Sequence, residues 1–264
     1  MITAKIIADS IITEGVYSGT RVTTFELDYP RYIHAELMTH RVFSRNAASS
    51  RAIPIDTLIA QVETNTVMPI WTANQSGMQG KVITDGMQIH QLNAIWIEGA
   101  MQAKLLARKL ASKGAHKQNV NRVLEPYQHI KTIVTATDYD NWFNLRAHPD
   151  AQPEIQALAK EMLVARVQST PYELCMGEWH LPYTEGMTYD LEDLKLISAS
   201  CCAQVSYLKS DDTLEKAKLV YERLVGSKPL HASPFEHQCT PSDGSKLQKG
   251  NLRGFTQLRE LIES

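Results

Sequence analysis

The chain has 264 residues, 43% of them apolar, and a formal net charge of -2. A chain of that length can bury a sizeable core in one large domain or two closely packed ones. The small net charge gives no overall attraction to nucleic acid, so any anion site must be local. No run is long and apolar enough to span a membrane and no signal peptide is recognisable, so we expect a cytoplasmic protein.

Alternating apolar residues predict two strands at the start of the chain. Residues 2–8 alternate between apolar and polar side chains, and residues 21–28 return as a second strand after Gly15 and Gly19. A short helix, entered through a proline, is expected over residues 29–38.

The pattern over residues 88–113 predicts the clearest amphipathic helix. Ile97, Met101 and Leu105 repeat every fourth residue along one face. A strand over residues 132–137 follows.

Two further helices are expected at residues 153–168 and 214–225, and residues 68–85 read as a long irregular loop. Strands mixed with amphipathic helices give an α/β or α+β fold. We see no linker or repeat, so residues 1–264 are expected to form a single domain.

Residues 38–51 form the most informative segment. They contain three arginines, a histidine, an asparagine and three serines, with no acidic residue. Burial of such a segment calls for an anion that meets its guanidinium groups and hydroxyls. A solvated basic loop is the alternative interpretation.

Two distant segments together resemble a known enzyme family. Thr39-His40-Arg41 is followed by seven residues and Ser49, and residues 230–237 read Leu-His-Ala-Ser-Pro-Phe-Glu-His. These resemble the Arg-His-Arg signature and the His-x-Ser-Pro-Phe-Glu-His element of the flavin-dependent thymidylate synthases.

Further blocks extend the resemblance over about half of the chain. Residues 122–126 resemble the family's Arg-x-x-Leu-Pro, with one residue inserted between the leucine and the proline, and residues 141–147 resemble Asn-x-x-Asn-Leu-Arg-Ala. The Pro-Phe-Glu-His element normally precedes the arginine signature but follows it here. The chain therefore resembles a circular permutation of that fold, a central, mostly antiparallel sheet with flanking helices.

The resemblance implies a methyltransferase of nucleotide biosynthesis. It would make thymidylate (dTMP) from deoxyuridylate (dUMP), with FAD as cofactor and NADPH and methylenetetrahydrofolate as co-substrates. Classical thymidylate synthases instead attack the pyrimidine with a cysteine in a Pro-Cys-His context. None of the four cysteines has that context, and none shows metal-ligand spacing, so we expect no metal site.

The resemblance also implies roles for particular residues. Arg146 would be catalytic, facing the pyrimidine carbonyls. The nucleotide would be bound by Ser49, Ser50, Arg51, Arg122 and Arg146. The flavin site would be lined by His40, Arg41, Asn141, His231, Ser233 and Glu236. In the family these elements come from different subunits, so a homotetramer is expected.

Ordinary structural roles remain open for several of these side chains. Arg146 is alternatively an ion-pair partner at a helix end. His231 and His237 are alternatively hydrogen-bonded core histidines, and Glu236 a local cap or ion-pair partner.

The chain departs from the family pattern at several places. Thr39 stands where the family has an arginine, Ala47 where it has a glutamate, and Glu36 where it has a glutamine. Thr135 and Thr137 replace an asparagine and an arginine. Asp150 replaces a histidine, and His148 lies close by in the sequence. Two other functions therefore stay open. One is C5 methylation or hydroxymethylation of another pyrimidine nucleotide, such as deoxycytidylate (dCMP). The other is an inactive homologue that binds nucleotide or flavin.

Overall fold

The computed structural model describes residues 1–245 and 249–264 of the chain. The strands are β1 (Thr3–Ile12), β2 (Arg21–Pro30), β3 (Ser44–Ala47), β4 (His129–Ala136), β5 (Tyr172–Leu174), β6 (Cys239–Pro241) and β7 (Phe255–Gln257). The helices are α1 (His34–Leu37), α2 (Ile55–Thr64), α3 (Gly86–Ser112), α4 (Lys117–Val120), α5 (Asp140–Arg146), α6 (Pro153–Gln168), α7 (Leu191–Gln204), α8 (Leu214–Val225) and α9 (Leu258–Ile262). Short 3-10 turns cover Arg31–Ile33, Asn121–Tyr127, Val205–Tyr207 and Ser233–Glu236.

Five strands form the central sheet in the order β3-β4-β2-β1-β5. The first three neighbouring pairs are antiparallel, and only β5 runs parallel to its neighbour β1. This confirms the predicted mixed fold with a mostly antiparallel sheet and flanking helices. A second, two-stranded sheet pairs β6 with β7.

The two faces of the central sheet differ in chemistry. On one face Phe25 of β2 lies opposite Val134 of β4, and both belong to the main apolar core. On the other face Thr24 lies opposite Thr135, and both hydroxyl-bearing side chains are fully buried. Because neighbouring residues of a strand point to opposite faces, one face packs apolar helices and the other needs hydrogen-bond partners.

The helices predicted at 153–168 and 214–225 are confirmed as α6 and α8. Proline stands at the first position of α6, and the Gln152 side chain accepts a hydrogen bond from the Ile155 amide. Likewise Thr213 caps α8. Local signals of this kind are sufficient to set where a helix begins.

The long helix α3 is confirmed, but its apolar stripe does not face this chain's core. Ile97, Met101 and Leu105 are 44%, 48% and 57% exposed, whereas Ala100 and Ala107 are buried. No helix among residues 1–245 and 249–264 is long and apolar enough to cross a membrane.

The polar segment 38–51 differs from its expected form. It contains the strand β3, which the sequence pattern did not predict, and Ser44, Asn46 and Ser50 are buried. Their partners come from the protein itself, since the Asn46 amide donates to the Cys202 carbonyl at 3.1 Å. The expected helix upstream shortens to one 3-10 turn and α1.

Candidate functional site

Arg146, at the end of α5, lies against the segment that precedes β3. Its Nε donates to His40 Nε2 at 3.1 Å, and its Nη2 donates weakly to Thr39 Oγ1 at 3.4 Å. Two of the predicted site residues, His40 and Arg146, are therefore in direct contact although they are distant in sequence. The contact leaves guanidinium N–H groups of Arg146 for a ligand.

His40 is held in an aromatic cage and is neutral. Its ring packs edge-on against Trp142 at 4.8 Å and stacks on Phe43 at 5.7 Å, measured between ring centroids. Burial, together with the charges of Arg146 and Arg45, lowers the pKa of His40. A neutral ring accepts the Arg146 hydrogen bond at Nε2, which assigns its proton to Nδ1.

Glu36, on α1, adds a negative charge to this cluster. Burial raises the pKa of its carboxyl, while the charge of Arg146 opposes that shift. Its Oε2 is buried without a hydrogen-bond partner among the described residues, as is Nε1 of Trp142.

A second cluster converges on a single carboxylate oxygen, Glu125 Oε1. It accepts from Ser50 Oγ at 2.6 Å and from Arg122 Nη1 at 3.0 Å, and it pairs with Arg31 Nε at 3.2 Å. Burial lowers the pKa of Arg31, and the carboxylate of Glu125 opposes that effect. Hydroxyl and guanidinium groups converge on a phosphate oxygen in the same way.

Of the other predicted nucleotide-binding residues, Ser49 lies beside this second cluster and Arg51 is exposed next to it. The Ser49 amide donates to the Ser206 carbonyl at 3.0 Å. The two clusters lie at opposite ends of β3. Residues 44 and 49 of an extended chain are roughly 15 Å apart, and among the described residues no hydrogen bond or ion pair joins Arg146 to Ser50 or Arg122.

The element at residues 231–237 packs next to β3. The Gln257 amide donates to Ser44 Oγ at 3.1 Å and to the Glu236 carbonyl at 2.5 Å, which ties this element to the arginine segment. The Glu236 carboxylate forms an ion pair with Arg259. His231 and Ser233 are exposed, as are Arg41 and Asn141.

One departure from the family pattern has a structural explanation. Thr135 is fully buried, and its hydroxyl hydrogen-bonds to Thr24 at 2.7 Å and to His237 at 2.8 Å. His237 is thus a hydrogen-bonded core histidine, the alternative left open for it above. The Thr135 hydroxyl links the central sheet to the segment that carries His237, and its full burial leaves it unavailable to a ligand.

The sequence assigned no role to Glu125, and it left the role of His180 open; the His180 imidazole hydrogen-bonds to Ser10 and Thr24. Glu125 lies in the segment 122–126, directly before Pro126. The signal that could have identified it is an acidic side chain three residues after Arg122. His180 carried no signal beyond a cluster of polar residues in 172–183, because its contacts are all made with distant strands.

Comparison of the sequence with known protein families gives a match. The sequence profile described as thymidylate synthase complementing protein matches residues 19–172, which is more than half of the chain. The match includes both clusters and ends before the 231–237 element. No curated protein matches the chain.

Among solved structures, the fold is similar to a UMP/dUMP methylase, PolB from Streptomyces cacaoi, bound with 5-Br UMP. That likeness has a TM-score of 0.51 at 17% identity and covers 64% of this chain and 89% of that one. The same enzyme bound with 5-Br dUMP gives a TM-score of 0.47 at 16% identity, covering 64% of this chain and 91% of that chain. The first likeness supports the fold, and the profile match supports an enzyme of methyltransferase type. The chain belongs to the thymidylate synthase complementing protein family.

Proposed function

We propose that the protein is a flavin-dependent methyltransferase that converts dUMP to dTMP, with methylenetetrahydrofolate as one-carbon donor and NADPH as reductant. The observation that carries the proposal is the contact between Arg146 and His40, which joins two blocks of the family resemblance in space. Membership of the family adds support. PolB is a UMP/dUMP methylase, which is in keeping with a uracil nucleotide as substrate.

In this proposal Arg146 stabilises negative charge that develops on the pyrimidine carbonyl oxygens. Neutral His40 accepts a hydrogen bond from Nε of Arg146 and so fixes the plane of the guanidinium. Donors held in place before the reaction stabilise developing charge without reorganisation at the moment of reaction. Thr39 supplies a neutral contact where the family has a second arginine, so Arg146 keeps the main positive charge beside the ring.

We expect the flavin to contact His40, Arg41 and Asn141, together with His231, Ser233 and Glu236. The last three belong to the element that Gln257 ties to β3, the strand that follows His40. When bound, the flavin would supply reducing equivalents and carry the one-carbon unit. The protein's own part is to bind and orient the rings.

A complete site requires more than one copy of the chain in this proposal. Arg146 lies at one end of β3, and Ser50, Arg51 and Arg122 lie at the other. A neighbouring protomer would supply the phosphate-binding cluster opposite Arg146, as expected for a homotetramer. The exposed apolar stripe of α3 (Ile97, Met101 and Leu105) provides a surface that another protomer would cover.

We also propose that residues 1–264 form one domain, in permuted order relative to the family, and that the enzyme works in the cytoplasm. Contacts between the 231–237 element and β3 support the first point. The second is supported by the four cysteines, which are all free thiols.

The test is direct. Purified protein is titrated with FAD while the visible spectrum is recorded, and then incubated with methylenetetrahydrofolate, NADPH and one of dUMP, UMP or dCMP. Mass spectrometry should detect dTMP from dUMP. Product from dCMP alone would support the alternative of another pyrimidine substrate, and flavin uptake without any product would support the inactive homologue. Absence of both flavin uptake and product would reject the proposal.

A further inference from the structure

Arg45 is a charged side chain on the apolar face of the central sheet. It lies opposite Val134 of β4, which belongs to the main apolar core, and it is half-buried. Its strand, β3, is at the edge of the sheet, beside the turn formed by residues 38–40. A guanidinium group is always charged and carries five N–H donors, so in this position it needs acceptors from the protein.

Arg45 finds these acceptors in the turn that carries Thr39 and His40. Its Nη1 donates to the His40 carbonyl at 2.9 Å and, more weakly, to the Met38 carbonyl at 3.3 Å. These two carbonyls stand on either side of Thr39 in the chain. The side chains of Thr39 and His40 are the two groups to which Arg146 donates. Arg45 therefore holds the backbone whose side chains meet Arg146.

The charge of Arg45 acts on the same contact. Burial is the largest cause of the lowered pKa of His40, and the charges of Arg146 and Arg45 lower it further. Glu36, the acidic residue of the cluster, interacts with Arg146. A protonated His40 has no lone pair at Nε2 for Arg146, so the two cations favour the neutral form of the ring that accepts this hydrogen bond.

We propose that Arg45 is a positioning residue of the candidate site, which holds the turn 38–40 and supplies beside His40 a positive charge in place of the arginine that the family has at position 39. The hydrogen bonds of Arg45 span this position, which Thr39 occupies here. The inference rests on the proposed function, because binding of a pyrimidine by Arg146 belongs to that proposal. It adds a residue that acts through His40 and Arg146 without touching the ligand.

Titration of His40 in the full-length protein without ligands tests the role of the charge. The protein is labelled with carbon-13 at Cε1 of histidine, and the His40 resonance is identified by its loss in His40→Gln. Arg45→Met should raise the pKa of His40 by about half a unit or more, because one of the two neighbouring positive charges is removed. Arg45→Lys keeps the charge and should leave the pKa close to that of the unsubstituted protein. Arg45→Gln is a second neutral variant, which keeps an amide donor for the turn, and it should show the same rise as Arg45→Met.

Arg166→Met is the matched control. Arg166 is also half-buried, but it lies over the ring of Tyr139 and donates weakly to Thr23, and it makes no hydrogen bond to the turn 38–40 among the described residues. Its removal should leave the pKa of His40 unchanged. Where Arg45→Met does not fold, Arg45→Gln gives the reading. An unchanged pKa of His40 in the neutral variants, a rise in Arg45→Lys equal to theirs, or an equal rise in Arg166→Met would overturn the role of Arg45.

The pH profile of turnover tests the link to the proposed function. Protonation of His40 removes the acceptor of Arg146, so the acidic limb of kcat/KM for dUMP should move to higher pH in Arg45→Met, by the same amount as the pKa of His40. Arg45→Lys should keep the limb of the unsubstituted protein. An acidic limb that stays in place while the pKa of His40 rises would contradict Arg45 as a positioning residue. A protein that turns over no nucleotide contradicts the proposed function instead, and the titration of His40 still decides whether the charge of Arg45 acts on the ring.

Discussion

Glu125 occupies the place where the proposed nucleotide phosphate should bind, and its removal should strengthen that binding. Its Oε1 takes up the donors of Ser50, Arg122 and Arg31. A phosphate must displace this carboxylate before it can use the same groups. Glu125→Ala should therefore raise the affinity for dUMP and, without ligand, lower the free energy of unfolding by leaving Arg31 unpaired.

The size of the effect follows from the burial of each donor. The Arg122 side chain is 57% exposed, so its pair with Glu125 contributes little. The Arg31 side chain is 15% exposed and Ser50 is buried, so freeing these two donors from Glu125 should contribute more to phosphate binding. A charge-assisted hydrogen bond contributes about 1.5–3 kcal/mol, which corresponds to a gain in affinity of about tenfold to a hundredfold.

Calorimetric titration with dUMP measures this gain, and titration with deoxyuridine measures binding without the phosphate. Glu63→Ala is the matched control, because Glu63 also pairs with two cations, Lys104 and Arg108, on the surface between α2 and α3. The gain should appear for Glu125→Ala with dUMP alone. Folded Glu125→Ala protein with unchanged dUMP affinity, or with an equal gain for deoxyuridine, would refute the reasoning.

Four further predictions follow from the same structure. Arg146→Ala should abolish turnover and leave assembly intact, and retained activity would remove Arg146 from the pyrimidine site. His231→Ala should weaken flavin binding more than nucleotide binding, as measured by the two dissociation constants. Leu105→Glu should dissociate the assembly in sedimentation experiments, whereas Gln102→Glu on an exposed position of the same helix should not. The pKa of His237 is about 3 in the folded chain and near 6.5 in the unfolded chain. Between these values the unfolded chain binds an extra proton, so the free energy of unfolding decreases as the pH is lowered. His237→Gln should therefore make the pH dependence of the unfolding free energy shallower by about 1.4 kcal/mol per pH unit in that window, and an unchanged slope would count against burial of the neutral ring.

Much of the fold could be predicted because its signals are local. The helices α6 and α8 begin at caps that lie in the adjacent sequence, and β1 is an alternating pattern. The strand β3 was missed because its polar residues are buried only through partners far along the chain, such as the Cys202 carbonyl that meets Asn46. Local patterns do not contain that information.

The apolar stripe of α3 shows a second limit. A period of 3.6 residues reveals that Ile97, Met101 and Leu105 share a face, but not what covers that face. The prediction of the helix was right, and the stripe is exposed on this chain.

The sequence motifs named residues of the candidate site but not the contacts between them. His40 and Arg146 were singled out for different roles and are in contact, while Glu125 received no role although it lies between Arg122 and Pro126. Its role depends on Arg31 and Ser50, which reach it from separate parts of the chain. The role of His180 stayed open for the same reason, since its imidazole bonds only to β1 and β2.

The most direct test of the central claim is an experimental structure of the assembled protein with FAD and dUMP bound. We predict that Arg146 faces the pyrimidine carbonyls, that the flavin contacts Arg41 and the 231–236 element, and that a neighbouring protomer holds the phosphate with Ser50 and Arg122. Arg51, Arg146 and His231 in unconnected regions of the assembly would contradict the account.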